Sequence, residues 1–147
     1  MREILFRGKN VKTGEWEIGW YVKAPFDSWP LRDCIIPMDR AEAGEYIRIE
    51  VIPETLGQFT GLKCKNGMMV YEGDIIRTES FDESVFHGVI RYGQYNAPFF
   101  QDETNIGFFI EWVPVFPWRR DLAHWTDKED IEVVGNIHDN PELLEVE

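Results

Sequence analysis

Two tight turns close together near the middle of this sequence constrain its fold more than any other feature. Asn66-Gly67 stands between Leu62 and the apolar run 68–71. This setting predicts a β-hairpin with a type I′ turn, in which both central residues have positive φ. Glu72-Gly73-Asp74 predicts a second turn directly afterwards. A chain that reverses twice within residues 58–76 forms short strands there, so the sequence predicts a mainly β fold.

Runs of aromatic and β-branched residues predict further strands on both sides of this block. The predicted strands cover residues 4–6, 16–22, 46–51, 75–77 and 86–92. Lys12-Thr13-Gly14-Glu15 supplies a turn between the first two of them. Gly88 lies near the start of the last one and predicts a bulge or bend.

Helical signals are few. Asn140-Pro141 combines an N-cap residue with proline at the first helical position, so a short carboxy-terminal helix is expected there. That helix is expected to dock Leu143 or Leu144 on the rest of the domain. A further turn of helix is predicted over residues 120–125.

Three blocks of the sequence resemble a known family. They read Met-Arg-Glu-Ile-Leu-Phe-Arg-Gly-Lys at 1–9, Gln-Phe-Thr-Gly-Leu-Lys-Cys-Lys-Asn-Gly within 58–76, and Val-Val-Gly-Asn-Ile-His-Asp-Asn-Pro within 131–144. Together these blocks resemble the YopX family of phage and prophage proteins. The resemblance implies a YopX-like fold and a phage setting, and it implies no activity. The chain departs from the family pattern at Cys64, where an Asp is usual.

The length of 147 residues fits a single domain. We expect an amino-terminal β region over residues 1–55, and a short carboxy-terminal helix and tail over 139–147. Between them, a Gly-Asp turn, a strand, a polar loop and a second strand resemble the first half of an SH3-like barrel. That analogy predicts an SH3-like barrel portion over residues 56–138, and it predicts architecture only.

Acidic charge is concentrated at the carboxy-terminal end. The net charge is −12, and residues 121–147 hold nine Asp and Glu against Lys128. Direct nucleic-acid binding is therefore not expected, because such binding relies on Lys and Arg releasing counterions. We interpret the acidic residues as a solvated surface that keeps the protein in solution. The alternative is that the protein is a phage protein that mimics nucleic acid.

Cysteine content and hydropathy suggest where the protein works. Cys34 and Cys64 have no paired spacing and suit a reducing cytosol, in which both are small buried thiols. No stretch approaches the roughly 20 apolar residues that cross a membrane. We therefore expect a cytoplasmic protein of the bacterial host cell that does not contact membranes.

Few residues are arranged for chemistry. The three histidines are isolated, and no nucleophile elbow or Gly-rich phosphate loop is present. No catalytic, metal or cofactor site is assigned, and no cofactor is expected. Weak functional candidates are Gln58, Thr60, Glu72 and Asp74; structural turn candidates are Gly61, Asn66, Gly67, Gly73 and Asp74. Glu72 and Asp74 could share a proton or bind a cation, but turn geometry demands the same residues.

Nine aromatic side chains lie within residues 92–118, and they bear on self-association. Successive side chains on a strand point to opposite faces, so each of two aromatic doublets would place one ring outward. The interface candidates are Phe99, Phe100, Phe108, Phe109 and Trp112. Cover for these rings could come from Trp16, Trp20 and Trp29 of the same chain, or from a second copy of the chain. We expect the second arrangement, a homo-oligomer.

Three functions from different classes follow. The favoured one is a phage- or prophage-encoded accessory protein that is a non-enzymatic protein–protein interaction module, with an unknown host or phage protein as its partner. A nucleic-acid-associated or nucleic-acid-mimicking phage protein is the second. The third is an enzyme or metal-binding protein centred on Glu72 and Asp74.

Overall fold

The computed structural model describes residues 3–26, 28–39, 47–80, 82–97, 100–113, 121–128 and 131–145. The chain divides into two compact units, Met1–Phe59 and Thr60–Glu147. Ten strands are present in the described residues: β1 (Phe6–Lys9), β2 (Trp16–Phe26), β3 (Ser28–Pro37), β4 (Ile49–Glu50), β5 (Gly57–Lys63), β6 (Met69–Tyr71), β7 (Asp74–Glu79), β8 (Val85–Ala97), β9 (Phe100–Val113) and β10 (Glu132–Asn136). The α-helix is α1 (Leu122–Lys128), and 3-10 helices cover Pro53–Thr55 and Pro141–Leu144. The prediction of a mainly β fold is confirmed.

Antiparallel strands form the first unit, in the order β4-β3-β2-β1-β5. The predicted turn between β1 and β2 is present: Gly14 has a φ of +75° and its N–H donates to the Asn10 carbonyl at 2.8 Å. β2 and β3 form a long hairpin whose register runs from Gly19 opposite Pro37 to Pro25 opposite Leu31. The predicted strand over 16–22 is thus confirmed as the first half of a longer strand.

The strand predicted over residues 46–51 is shorter in the structure. β4 contains Ile49 and Glu50, which pair with Ile35 and Cys34 of β3. Val51 forms a single bridge with Asn10 and turns its side chain against Gly8. The Val51 N–H still donates to the Asp33 carbonyl of β3 at 3.0 Å, so the predicted strand is shortened mainly at its other end, where residues 47 and 48 lie outside any strand. Residue 46 lies outside the described residues.

The second unit contains a four-stranded antiparallel sheet in the order β10-β7-β8-β9. The strands predicted over 75–77 and 86–92 are confirmed within β7 and β8. An SH3-like barrel over 56–138 is not confirmed, because β10 pairs with β7 rather than with β9 and the sheet does not close.

The hydrophobic core of the second unit lies between this sheet, α1 and the β5–β6 hairpin. Its buried members are Cys64, Val70, Ile76, Ile90, Ile110, Trp112, Leu122, Trp125 and Ile131. The indole rings of Trp112 and Trp125 meet edge to face with centroids 5.0 Å apart, so α1 is held to β9 by aromatic packing. The prediction of helix near residues 120–125 is confirmed.

Gly88 serves close packing and does not form a bulge. It pairs with Ile76 on one side and Trp112 on the other, with no shift in register. The bulge predicted as one possibility at Gly88 is therefore wrong; register irregularities in this sheet lie between Val133 and Gly135 of β10 and between Asn96 and Ala97 of β8.

The predicted carboxy-terminal helix is present as the 3-10 helix Pro141–Leu144, which packs against β8. Leu143 and Leu144 are half-buried, as expected of docking residues. Within the part of the chain that the structure describes, no helix has both the length and the apolar character needed to cross a membrane.

Candidate functional site

The hairpin turn between β5 and β6 has three residues in its loop, not two. The Gly67 N–H donates to the Cys64 carbonyl at 2.8 Å, and the Cys64 N–H donates to the Met68 carbonyl at 2.9 Å. Gly67 has a φ of +87°. Among the described residues, the non-glycine residue with a positive φ is Glu83, so Asn66 does not have one. The type I′ turn predicted at Asn66-Gly67 is therefore wrong, since Asn66 keeps a negative φ. The arrangement matches a type I turn followed by a left-handed glycine.

Asp74 closes the second predicted turn with its side chain. Its carboxylate accepts a hydrogen bond from the Tyr71 N–H at 2.8 Å, and the residue is only 1% exposed. Gly73 has a φ of +89°, and its own N–H and carbonyl bond to Ile90 and Ile137. Glu72 is half-buried beside them. Asp74 therefore fixes the turn from inside the protein, as the turn interpretation requires.

Thr60 also bonds to backbone groups. Its hydroxyl donates to the Val70 carbonyl at 2.8 Å and accepts from the Leu62 N–H at 3.2 Å, so it ties β5 to β6. Gln58 is half-buried in β5, opposite Phe6 of β1. Gly61 is exposed with a φ of +85°, and it allows the strand to bend between these contacts.

The aromatic interface candidates are distributed between core and surface. Trp112 is 2% exposed and belongs to the core, so it is not available at a surface. Phe108 is half-buried against the same core, and Phe109 stacks on Tyr95 with centroids 5.1 Å apart. Phe99 lies outside the described residues; Phe100 starts β9, and its side chain is outside them as well.

Metal ligands are not clustered. In the described ranges, no three His, Cys, Asp or Glu side chains come close enough together to hold a metal ion. Cys34 and Cys64 are both buried free thiols, and burial raises the pKa of each. Cys64 thus belongs to the hydrophobic core of the second unit.

A polar cleft of about 540 Å³ opens in the second unit, between the β5–β6 turn and the adjoining ends of β7 and β10. Arg77 lies in it and pairs with two carboxylates, Glu79 and Glu132, the latter at 3.4 Å. Lys65 adds a second cation to the lining. The described lining thus holds two cations and two carboxylates, and Arg77 pairs with both of the carboxylates.

The tip of the β2–β3 hairpin is the most exposed apolar feature of the first unit. The Trp29 side chain is 77% exposed, and Leu31 is exposed beside it. Pro25 lies directly opposite Leu31 in the register, so the two side chains share one face of the hairpin. We refer to Pro25, Trp29 and Leu31 as the hairpin tip surface.

Sequence reasoning missed the hairpin tip surface. The available signal was a tryptophan next to Pro30 between two strand-like runs, which is an apolar residue at a position typical of a loop. Farther along the same hairpin, the Tyr21 hydroxyl donates to the Asp33 carboxylate, and this bond raises the pKa of Tyr21 to about 12. That pair links the side chains of the two strands.

Comparison with known proteins supports the fold and identifies the family. No functionally curated protein matches the sequence. A crystal structure of protein EF1440 from Enterococcus faecalis is similar, with 24% identity, a TM-score of 0.54, and coverage of 99% of this chain and 100% of that one. This likeness shows the fold alone. The sequence model described as YopX protein matches residues 6–145, nearly the whole chain, and the protein therefore belongs to the YopX family.

Proposed function

We propose that the protein is a non-enzymatic interaction module that binds another protein through the hairpin tip surface. The observation that carries the proposal is the 77% exposure of Trp29 near the end of the β2–β3 hairpin. Leaving an indole ring in water forgoes a large part of the stabilisation that burial of an aromatic side chain provides. Tryptophan is also enriched among the few residues that carry most of the energy of protein interfaces.

The neighbours of Trp29 favour a compact anchor. Pro25 and Leu31 add apolar area on one face of the hairpin, and Pro25 loses little conformational entropy when it is buried. The pairing of β2 with β3 fixes the position of that face before binding, which lowers the entropic cost of association. The expected partner surface is an apolar pocket that accepts the indole of Trp29.

We further propose a phage- or prophage-encoded accessory role in the cytoplasm of the bacterial host, with a host or phage protein as the partner. Membership of the YopX family supports this setting. The net charge of −12 favours a protein partner over nucleic acid, since a strongly acidic chain is repelled by a phosphate backbone.

Affinity capture from host-cell lysate tests the proposal when matched variants are compared. Trp29→Ser is expected to lose a partner that the unchanged protein retains, because the indole is the anchor. Val85→Ser is the control, since Val85 is also an exposed apolar residue, at the start of β8 in the other unit. Loss of the partner in both variants, or in neither, would contradict the assignment to the hairpin tip surface.

Self-association through the β8–β9 hairpin is a second candidate, and a separate observation favours it. Ile90 and Ile110 face each other in the core, and the same face continues along the hairpin to Tyr92 and Ile106. Those two side chains are 58% and 68% exposed. The core-facing side of the hairpin thus extends beyond the core, and a second copy could cover it as a symmetric dimer.

Light scattering coupled to size exclusion tests this candidate. A dimer at about 50 μM protein is expected for micromolar affinity. Ile106→Lys should return the protein to a monomer, whereas Trp29→Ser should leave the dimer intact. A monomer mass for the unchanged protein would remove self-association and leave the hairpin tip proposal unaffected.

A further inference from the structure

Three parts of the first unit meet at a small cleft. The Val11 N–H, in the turn after β1, donates to the Glu50 carbonyl at 3.1 Å, and Glu50 pairs with Cys34 of β3. The Lys12 N–H donates a hydrogen bond of 2.9 Å to Oδ1 of Asn10. These backbone contacts hold the turn, β3 and β4 around a cavity of about 260 Å³.

The charge of this cleft differs from that of the whole chain. Lys12, Arg32 and Arg48 line it, with Glu50 as the carboxylate among its described lining residues. The lining therefore carries a formal charge of +2, in a protein whose net charge is −12. Arg32 and Glu50 form a salt bridge of 2.9 Å.

We propose that this cleft binds a phosphate monoester dianion. A phosphate monoester carries a charge of about −1.5 to −2 at neutral pH, which matches the formal charge of the lining. Arginine presents a planar fork of N–H donors that suits phosphate oxygens, and two arginines flank the cavity. A carboxylate ligand fits less well, because it carries half the charge of a phosphate dianion. The cleft also contains a carboxylate already, that of Glu50 in its salt bridge with Arg32.

The size and floor of the cleft agree with this ligand. Its volume is below the range of roughly 300–1,000 Å³ typical of sites for drug-sized molecules, so a small group is accommodated. Val11 and Ile49 provide apolar surface beside the cations. The phosphate oxygens would face the three basic side chains, and the ester carbon would lie against this apolar surface.

The proposal is independent of binding through Trp29, since the hairpin tip surface contributes no residue to the cleft. A phosphate dianion is the shared chemistry of three sources: a nucleoside monophosphate and a phosphorylated side chain, which are monoesters, and free inorganic phosphate, which lacks the ester carbon. The experiment below separates them.

Amide NMR with the full chain provides the first test. Inorganic phosphate, titrated to about 20 mM, is expected to shift the amides of Val11, Lys12 and Glu50 together. The shifts should weaken between about pH 8.5 and pH 6, because inorganic phosphate takes up its second proton around pH 7, about one unit above the pKa near 6 of a phosphate monoester. Sulfate, which remains a dianion over this range, should not show that loss. Unchanged amides, or a decline that is equal for sulfate, would overturn the proposal.

Charge variants provide a test with opposite signs. Arg48→Gln is expected to weaken phosphate binding about fivefold, and Glu50→Gln to strengthen it about threefold, because one removes an attractive charge and the other a repulsive one. Arg91 and Glu111 form a comparable exposed pair at 3.1 Å in the second unit, so Arg91→Gln and Glu111→Gln are matched controls.

The controls are expected to leave the affinity unchanged. If the variants of Arg91 and Glu111 changed the phosphate affinity as much as those of Arg48 and Glu50, the binding would depend only on the net charge of the protein. That result would overturn the site. A folding defect in Arg48→Gln would show in its amide spectrum, and the gain expected in Glu50→Gln then carries the test.

Three phosphate sources and duplex DNA complete the design. Inorganic phosphate, a nucleoside monophosphate and a phosphoserine peptide are titrated separately. Binding that is about tenfold tighter for one organic form identifies the source, while equal affinities assign the site to free phosphate. Duplex DNA carries phosphodiester monoanions; if it shifts the same amides at lower phosphate concentration than any monoester, the assignment to monoester is wrong.

Discussion

The carboxylate of Asp74 accepts a hydrogen bond from the backbone N–H of Tyr71, at 2.8 Å, across the turn that joins β6 to β7. Both residues are buried, so the bond stabilises a donor that water does not reach. The chain passes at this turn from the hairpin of β5 and β6 to the four-stranded sheet. The buried Asp74 side chain thus stabilises the turn that connects the β5–β6 hairpin to the four-stranded sheet.

Asp74→Ala is expected to destabilise the protein by about 1–3 kcal/mol, because the buried Tyr71 N–H loses its acceptor. Asp74→Asn should cost less, since an amide oxygen still accepts the bond. Urea denaturation of the two variants measures the difference. Equal stability of the alanine variant and the unchanged protein would contradict the role given to Asp74.

Gly88→Ala is expected to cost about 1–3 kcal/mol through overpacking. A Cβ at this position would overlap Cγ2 of Ile110 and lie 3.2 Å from Cε3 of Trp112. Ile110→Leu removes the overlapping methyl group, so Gly88→Ala should cost less in that background. A double-mutant cycle by thermal denaturation tests the coupling, and additive effects would show that the overlap is not the cause.

Gly67 and Asn66 distinguish the three-residue loop from a type I′ turn. Gly67→Ala is expected to cost about 1–2 kcal/mol because of its φ of +87°, and Gly67→Asn less. Asn66→Ala should lose only the bond from the Met68 N–H to the Asn66 side chain, about 0.5–1.5 kcal/mol. A strongly stabilising effect of Asn66→Gly would contradict this account, because it would show that Asn66 also has a positive φ, which we assign to Gly67 alone.

Tyr21 is expected to make the stability depend on pH in the alkaline range. Its hydrogen bond to Asp33 raises its pKa from 10.0 to about 12, so the folded protein retains a proton that the unfolded chain loses. The contribution is complete below pH 10 and is lost as the pH rises to about 12. Tyr21→Phe should therefore show a flatter decline of unfolding free energy over this interval, and an unchanged decline would contradict the coupling.

Local side-chain chemistry explains which parts of the fold could be predicted from the sequence. The turn at Gly73 and Asp74 was predictable because a glycine and a short acid are what such a turn needs. The 3-10 helix at Pro141 was also predictable from local chemistry, because proline fixes its own φ at a value suited to the first position of a helix. These features depend on a few neighbouring residues and not on distant ones.

Features that depend on distant partners could not be predicted. The hairpin loop gained a third residue because Cys64, buried in the core, pairs with Met68, and burial is not visible in a local pattern. The barrel failed to close because β10 pairs with β7, a choice between strands far apart in sequence.

The candidate surfaces were hidden for a similar reason. Lys12, Arg32 and Arg48 form one cleft only because β4 pairs with β3 and the turn after β1 bonds to β4. Trp29 reads in the sequence as one more core aromatic, and its exposure depends on where the rest of the first unit lies. The number of aromatic residues therefore gave no indication of which of them face solvent.

Site-specific photo-crosslinking tests the central claim, binding through the hairpin tip surface, most directly. A photoreactive aromatic amino acid replaces Trp29 in one variant, Leu31 in a second and Val85 in a control, and each is irradiated in host cells. We predict a crosslink to one partner protein from positions 29 and 31, and none to that partner from position 85. Crosslinks to that protein from position 85 alone, or only to a second copy of this chain from position 29, would contradict the account.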